Sequence, residues 1–128
     1  MTAMSDELVL IVDDNEKNVK LARDVLRFAG FRTLEARSAE EGVSLAAEHL
    51  PDVILMDIRL PDMDGAAALR QLKAEKRTAS IPVVALTSFA MKGDRERFLD
   101  EGFDGYLEKP ISVREFGEQV RSYCGAAG

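Results

Sequence analysis

The chain has 128 residues, enough for one domain, since domains run to roughly 100–200 residues. Lys and Arg total 17 against 23 Asp and Glu, a formal charge of −6 that disfavours a nucleic-acid surface, because neutralising phosphates needs a basic patch. Hydrophobic residues at 46% and charged residues at 31% exclude disorder by composition, and no apolar run approaches the roughly 18 residues of a membrane span.

The opening Met1-Thr2-Ala3-Met4-Ser5-Asp6-Glu7 has no basic stretch leading into an apolar one, so it does not read as a signal peptide. Val9-Leu10-Ile11-Val12 is the first predicted strand. Val19, Ala22, Val25/Leu26 and Ala29 then form a helical stripe, with Gly30 as its C′ residue. Arg32-Thr33-Leu34-Glu35-Ala36 is a weaker strand. Ser38-Ala39-Glu40-Glu41 reads as a capping box opening a helix with Val43, Ala46/Ala47 and Leu50 inward, stopped by Pro51. Val53-Ile54-Leu55-Met56 is a strong strand, and Leu69 and Leu72 sit in a helix after Gly65. Val83-Val84-Ala85-Leu86 is the fourth strand. Residues 92–101 are helical but mostly charged, with Phe98 and Leu99 as apolar anchors and Gly102 at the end. Gly105-Tyr106-Leu107 is a short strand. Ser112-Val113-Arg114-Glu115 is a second capping box, followed at helical spacing from Val113 by Phe116, Val120 and Tyr123.

The strong runs do not alternate, as expected of strands buried on both faces. Strand–helix units linked by right-handed crossovers give an α/β fold, a three-layer α/β/α sandwich on a parallel sheet. Ligands in such sheets bind at the carboxyl ends of the strands. Those ends carry Asp13-Asp14, Asp57, Thr87-Ser88 and Glu108-Lys109-Pro110.

The first strand–helix turn, Asp13-Asp14-Asn15-Glu16, has no glycine, so neither a dinucleotide fingerprint nor a P-loop is present. Two carboxylates about 5 Å apart repel by about 3 kcal/mol at an effective dielectric of about 20. A divalent ion offsets that repulsion. One His and one Cys exclude a His/Cys zinc site, so the ion is a hard one, and Mg2+ suits few oxygen ligands open to water. Taken alone, each group has a plainer reading. Asp13, Asp14 or Asn15 is a helix cap, Asp57 a loop acid, Thr87 a cap, Lys109-Pro110 a turn and Tyr106 half-buried sheet packing. Together they suggest a carboxylate nucleophile, Asp57, attacking phosphorus while Mg2+ and Lys109 neutralise charge and Thr87 bonds a phosphoryl oxygen. His49 reads as a solvated helix residue. Cys124 reads as an unreactive thiol, and a lone cysteine fits a reducing, cytoplasmic setting.

Four motifs in order then resemble the receiver domain of two-component response regulators. They are Asp13-Asp14, Met56-Asp57-Ile58-Arg59-Leu60-Pro61-Asp62-Met63-Asp64-Gly65, Ala85-Leu86-Thr87-Ser88 and Tyr106-Leu107-Glu108-Lys109-Pro110. The likeness spans residues 8–123 of a single domain over 1–128. The stretches 14–18 and 87–94 look most like single-domain regulators of the DivK type. The resemblance implies a flavodoxin-like fold, a five-stranded sheet in the order 2-1-3-4-5. It implies that Asp57 accepts a phosphoryl group from a histidine kinase or histidine phosphotransfer protein. Mg2+ would be held by Asp14, Asp57 and the Arg59 backbone carbonyl, with Asp13 acting through water. Thr87, Lys109 and Tyr106 would bind the phosphoryl group or switch with it, supported by Ser88 and Pro110. A downstream protein would read the face of the fourth helix, fifth strand and fifth helix. Arg59 and Phe89 are larger than the small polar residues of many relatives, which implies slower loss of the phosphoryl group. Leu21 and Phe28, with Val25, form a second ridge on the first helix, either buried or docking the histidine-bearing helix of the donor. Neither nucleic-acid binding nor membrane insertion is expected. Alternatives remain: a receiver within a larger hybrid kinase or regulator, a Mg2+-dependent aspartyl-nucleophile phosphohydrolase, or an unphosphorylated scaffold.

Overall fold

Three short runs rich in Val, Ile and Leu and two mixed ones form the sheet: β1 (Leu8–Val12), β2 (Arg32–Ala36), β3 (Val53–Asp57), β4 (Val83–Thr87) and β5 (Gly105–Glu108), of which β2 and β5 are the mixed pair. All pairings are parallel, in the order β2-β1-β3-β4-β5. The helices are α1 (Glu16–Phe28), α2 (Ala39–His49), α3 (Gly65–Ala74), α4 (Asp94–Glu101) and α5 (Phe116–Cys124). The computed structural model describes residues 7–60, 62, 65–87, 94–109 and 111–124.

Every residue of β3 and β4 is buried, because helices cover both faces of the sheet. Strand side chains alternate between the faces and so divide the interior in two. Val9, Ile11, Leu55 and Val84 pack with Val19, Ala22 and Leu26 of α1 and Phe116 and Val120 of α5. Leu10, Val12, Ile54 and Met56 pack on the other side with Ala39 and Ala46 of α2, Leu69 and Leu72 of α3 and Phe98 of α4.

Local chemistry sets the helix ends. Asn15 caps α1, its side chain accepting from Lys17 N and Asn18 N at 3.0 and 3.2 Å. At the other end Gly30 takes φ 102°, and Phe31 N donates to Leu26 O at 3.0 Å, a Schellman motif. Gly102 ends α4 in the same way, with φ 111° and Phe103 N donating to Phe98 O at 3.0 Å. Ser38 Oγ accepts from Glu41 N at 3.1 Å, while Glu41 Oε1 accepts from Arg37 N at 2.8 Å, one residue before the expected partner.

Three expected inward residues point outward. Leu50 is exposed because it is the C-cap of α2, in the left-handed conformation at φ 50°, where the chain has already turned from the sheet. Leu99 neighbours buried Phe98 but falls about 100° around the helix, and it is exposed. Val113 is exposed because α5 starts only at Phe116, after a turn in which Phe116 N donates to Ser112 O at 2.8 Å.

Register then aligns the strand ends. Val12 pairs with Met56, so Asp13 and Asp57 stand level. Asp57 pairs with Leu86 and Thr87 with Glu108, which brings Thr87 and Lys109 to the same edge. Lys109 N donates to Thr87 O at 2.7 Å and holds that alignment past the end of β5.

Candidate functional site

At this edge Asp13, Asp14 and Asp57 each offer a carboxylate oxygen, all within 4.8 Å of one another. Asp13 and Asp57 are buried, whereas Asp14 is exposed. The groups are fixed by their own strand-end turns. Asp13 Oδ1 accepts from Asn15 N at 2.9 Å, and Asp57 Oδ1 accepts from Arg59 N at 2.9 Å. Their other oxygens share one cation: Lys109 Nζ donates to Asp13 Oδ2 at 2.7 Å and to Asp57 Oδ2 at 3.1 Å.

The electrostatics follow from burial. Desolvation pushes the Asp57 carboxyl above the usual range, and Asp13 adds to this. The Arg59 N–H and Lys109 pull the other way and only partly compensate. Burial also disfavours the Lys109 ammonium, but the hydrogen bonds and negative charges of Asp13 and, to a lesser extent, Asp57 together outweigh it and hold the lysine above its ordinary value. Lys109 is therefore primarily Asp13's partner, as the distances also indicate, and Asp57 is the less satisfied acid.

The cleft above these groups encloses about 220 Å3 and is lined by Asp14, Asn15, Asn18, Asp57, Ile58, Arg59, Thr87 and Lys109. Thr87 is buried at its floor, 2% exposed. The structure thus brings together Asp13, Asp14, Asp57, Arg59, Thr87 and Lys109. Tyr106 stands apart. It is half-buried, its ring tilted against Phe98 of α4 at 6.1 Å, and it lines a separate open groove with Leu99, Gln119 and Tyr123. Ser88, Phe89 and Pro110 lie outside the described residues. Asn18 and Ile58 line the cleft without having been singled out. Asn18 is the third residue of α1, in the first turn beside the Asn15 cap, to whose side chain its N–H donates at 3.2 Å.

Gly65 opens α3 directly behind this site. A Cβ there would fall 2.9 Å from the Ile58 Cα, inside contact distance of backbone that has little room to yield. The loop after Asp57 and the start of α3 therefore close-pack only around a glycine.

Cys124 and His49 match their plain readings. The Cys124 thiol is half-buried, and burial, with Glu7 and Asp52 adding, pushes it up to about 12. His49 is at the exposed end of α2. No helix among the described residues is long and apolar enough to cross a membrane.

A parallel sheet in this order, with acids and a lysine at the carboxyl ends of β1, β3 and β5, is the architecture of a phosphosignalling receiver. The chain belongs to the response regulator receiver domain family, whose profile it matches over residues 9–121. It is 49% identical over 119 residues to the polar-differentiation response regulator DivK of Brucella ovis, covering 93% of this chain and 97% of that one. The receiver domain of a sensor histidine kinase from Pseudomonas aeruginosa PAO1 superposes with a TM-score of 0.86 at 34% identity, covering 95% of this chain and 100% of that one. That crystal structure has a magnesium ion coordinated in its active-site cleft. A chemotaxis response regulator of Vibrio cholerae, at 22% identity and a TM-score of 0.86, shares the fold over 93% of this chain and 99% of that one.

Proposed function

We propose that Asp57 is the phosphoacceptor in a two-component or phosphorelay step, and that the protein is a switch working through protein contacts. The observation that carries this reading is the cluster of Asp13, Asp14 and Asp57 with one ammonium bridging two of the three. The cluster is short of positive charge, and its all-oxygen donor set suits a hard ion. Asp14, Asp57 and the Arg59 backbone carbonyl would hold Mg2+, with Asp13 acting through water. Bound there, the ion supplies charge neutralisation to the phosphoryl oxygens.

The chain's own groups do the rest. An Asp57 oxygen attacks the phosphorus of a phosphohistidine. The new P–O bond forms as the P–N bond breaks, and the departing imidazole keeps the electron pair and takes up a proton. Lys109 turns from the carboxylate to the phosphoryl oxygens, and Thr87 donates its hydroxyl to another. The reaction needs positioning and electrostatics more than any acid or base. Movement at Thr87 is read through Tyr106 and Phe98 on the α4-β5-α5 face by a downstream protein. The half-buried Tyr106 and the open groove beside it support that reading.

The donor, a histidine kinase or histidine phosphotransfer protein, docks its helix on Leu21, Val25 and Phe28. Phe28 is 96% exposed, which favours a docking ridge over a buried one. Likeness to DivK, covered over 97% of its length, supports a stand-alone regulator, and the lone cysteine fits a reducing, cytoplasmic setting. Likeness to the receiver of a sensor kinase favours, as a second reading, a receiver within a larger kinase.

Acetyl phosphate with Mg2+ is expected to add the mass of one phosphoryl group to the wild type and none to Asp57→Asn. An intact wild type that never gains mass overturns the reading. Multiple turnovers of a small phosphomonoester would replace it with a phosphohydrolase. Arg59 and Phe89 should shield the acyl phosphate from water, so an Arg59→Asn, Phe89→Glu variant is expected to shorten its half-life.

A further inference from the structure

Asp62 lies in the loop leaving β3, yet it is not among the residues lining the cleft. Its Oδ1 accepts from Ala39 N at 2.9 Å and its Oδ2 from Glu40 N at 2.9 Å. These are the first two residues of α2. A helix begins with backbone N–H groups that have no acceptor within it. At α2 those of the first three residues find partners outside the helical ladder. Ala39 and Glu40 donate to Asp62 and Glu41 donates to Ser38 Oγ at 3.1 Å, and the ladder itself begins with Gly42 N donating to Ser38 O at 3.0 Å. A carboxylate at a helix N-terminus is also favoured by the helix dipole, and such charge-assisted bonds are the strong kind.

The same loop starts with Ile58 and Arg59, and Arg59 N donates to Asp57 Oδ1. It is thus pinned at one end to the acceptor and in its middle to α2. We propose that Asp62 is a positioning residue: clamped on the start of α2, it holds the Arg59 carbonyl ready for the cation and makes that end of α2 sense whether the cleft is loaded. This rests on the metal-dependent reading of the cleft given above. Coupling between two sites is reciprocal, so whatever factor the clamp adds to metal affinity, the metal must return to the clamp.

Isothermal titration of wild type, Asp62→Asn and Asp62→Ala with Mg2+ tests this, alongside amide hydrogen exchange at Ala39 and Glu40. Asp62→Ala is expected to weaken Mg2+ binding about fivefold. Asp62→Asn keeps one acceptor and is expected to fall between, and it preserves the test if Asp62→Ala does not fold by circular dichroism. Mg2+ is expected to slow exchange at Ala39 and Glu40 in the wild type by a matching factor, and to leave it unchanged in Asp62→Ala. Unchanged affinity in folded variants, with normal wild-type binding, overturns the proposal alone. So does an equal loss in both variants that disappears in high salt, since charge rather than the clamp would then be acting. A wild type that binds no Mg2+ overturns the parent reading, and this one with it.

Discussion

Lys109 touches two carboxylates but does not satisfy them equally, being 2.7 Å from Asp13 and 3.1 Å from Asp57. Burial disfavours the charged form of Asp57, and Lys109 with the Arg59 N–H only partly offsets it. Because its folded pKa is raised, the stability it contributes is present below the unfolded carboxylate value and lost as pH rises through the folded one. In metal-free buffer Asp57→Asn should accordingly match or exceed the wild type in Tm at neutral pH, and the gap should close on acidification. The same variant should lose most of its stabilisation by Mg2+, so differential scanning calorimetry with EDTA and with Mg2+ separates the two effects. Cys124 gives a second test. With its pKa pushed up to about 12, the native thiol should resist alkylation at pH 8 and react fully once unfolded, as intact-mass analysis would show. The site's main acids and its lysine were legible in the sequence, because each stands within two residues of the end of an apolar run and so marks a strand end. Asn18, Ile58 and Asp62 were not. Their roles depend on how a helix or loop is placed against another element, which no local pattern encodes.

At the scale of the element, α1 presents two unlike faces. Val19, Ala22 and Leu26 are buried, whereas Phe28 stands almost wholly in solvent. Phe28→Ala should change stability by no more than about 0.5 kcal/mol. If the ridge is the donor's dock, the same substitution should lower kcat/KM for phosphotransfer about tenfold, a hot-spot-sized loss read with the cognate donor. By contrast α4 is charged, and Phe98 is its buried side chain among those described, packed edge-on to Phe103 at 6.0 Å. Phe98→Ala should cost about 3–5 kcal/mol in urea unfolding. Helix existence was readable from spacing and from the glycines at 30 and 102. Orientation at the ends was less so. Leu50, Leu99 and Val113 have the right residue type, but a cap conformation, a helix phase and a late helix start turn them outward.

Across the whole molecule, the sheet separates two interiors that meet only through its strands, and the cleft sits where β1, β3, β4 and β5 end. A ligand there ties strands that serve both interiors. Mg2+ at one hundred times its Kd should add about 2.7 kcal/mol to global stability, and Asp14→Ala should remove most of that gain in a thermal-shift titration. The order 2-1-3-4-5 was legible only through the likeness to known receivers. Periodicity gives the alternation of strand and helix but not which strands are neighbours.

The slender anchoring of α4 has a further outcome. Among the described side chains of α4 Phe98 is the buried one, whereas β3 and β4 are buried throughout, so the amides of this helix should exchange with solvent ahead of those of the central strands, as hydrogen exchange read by mass spectrometry would show.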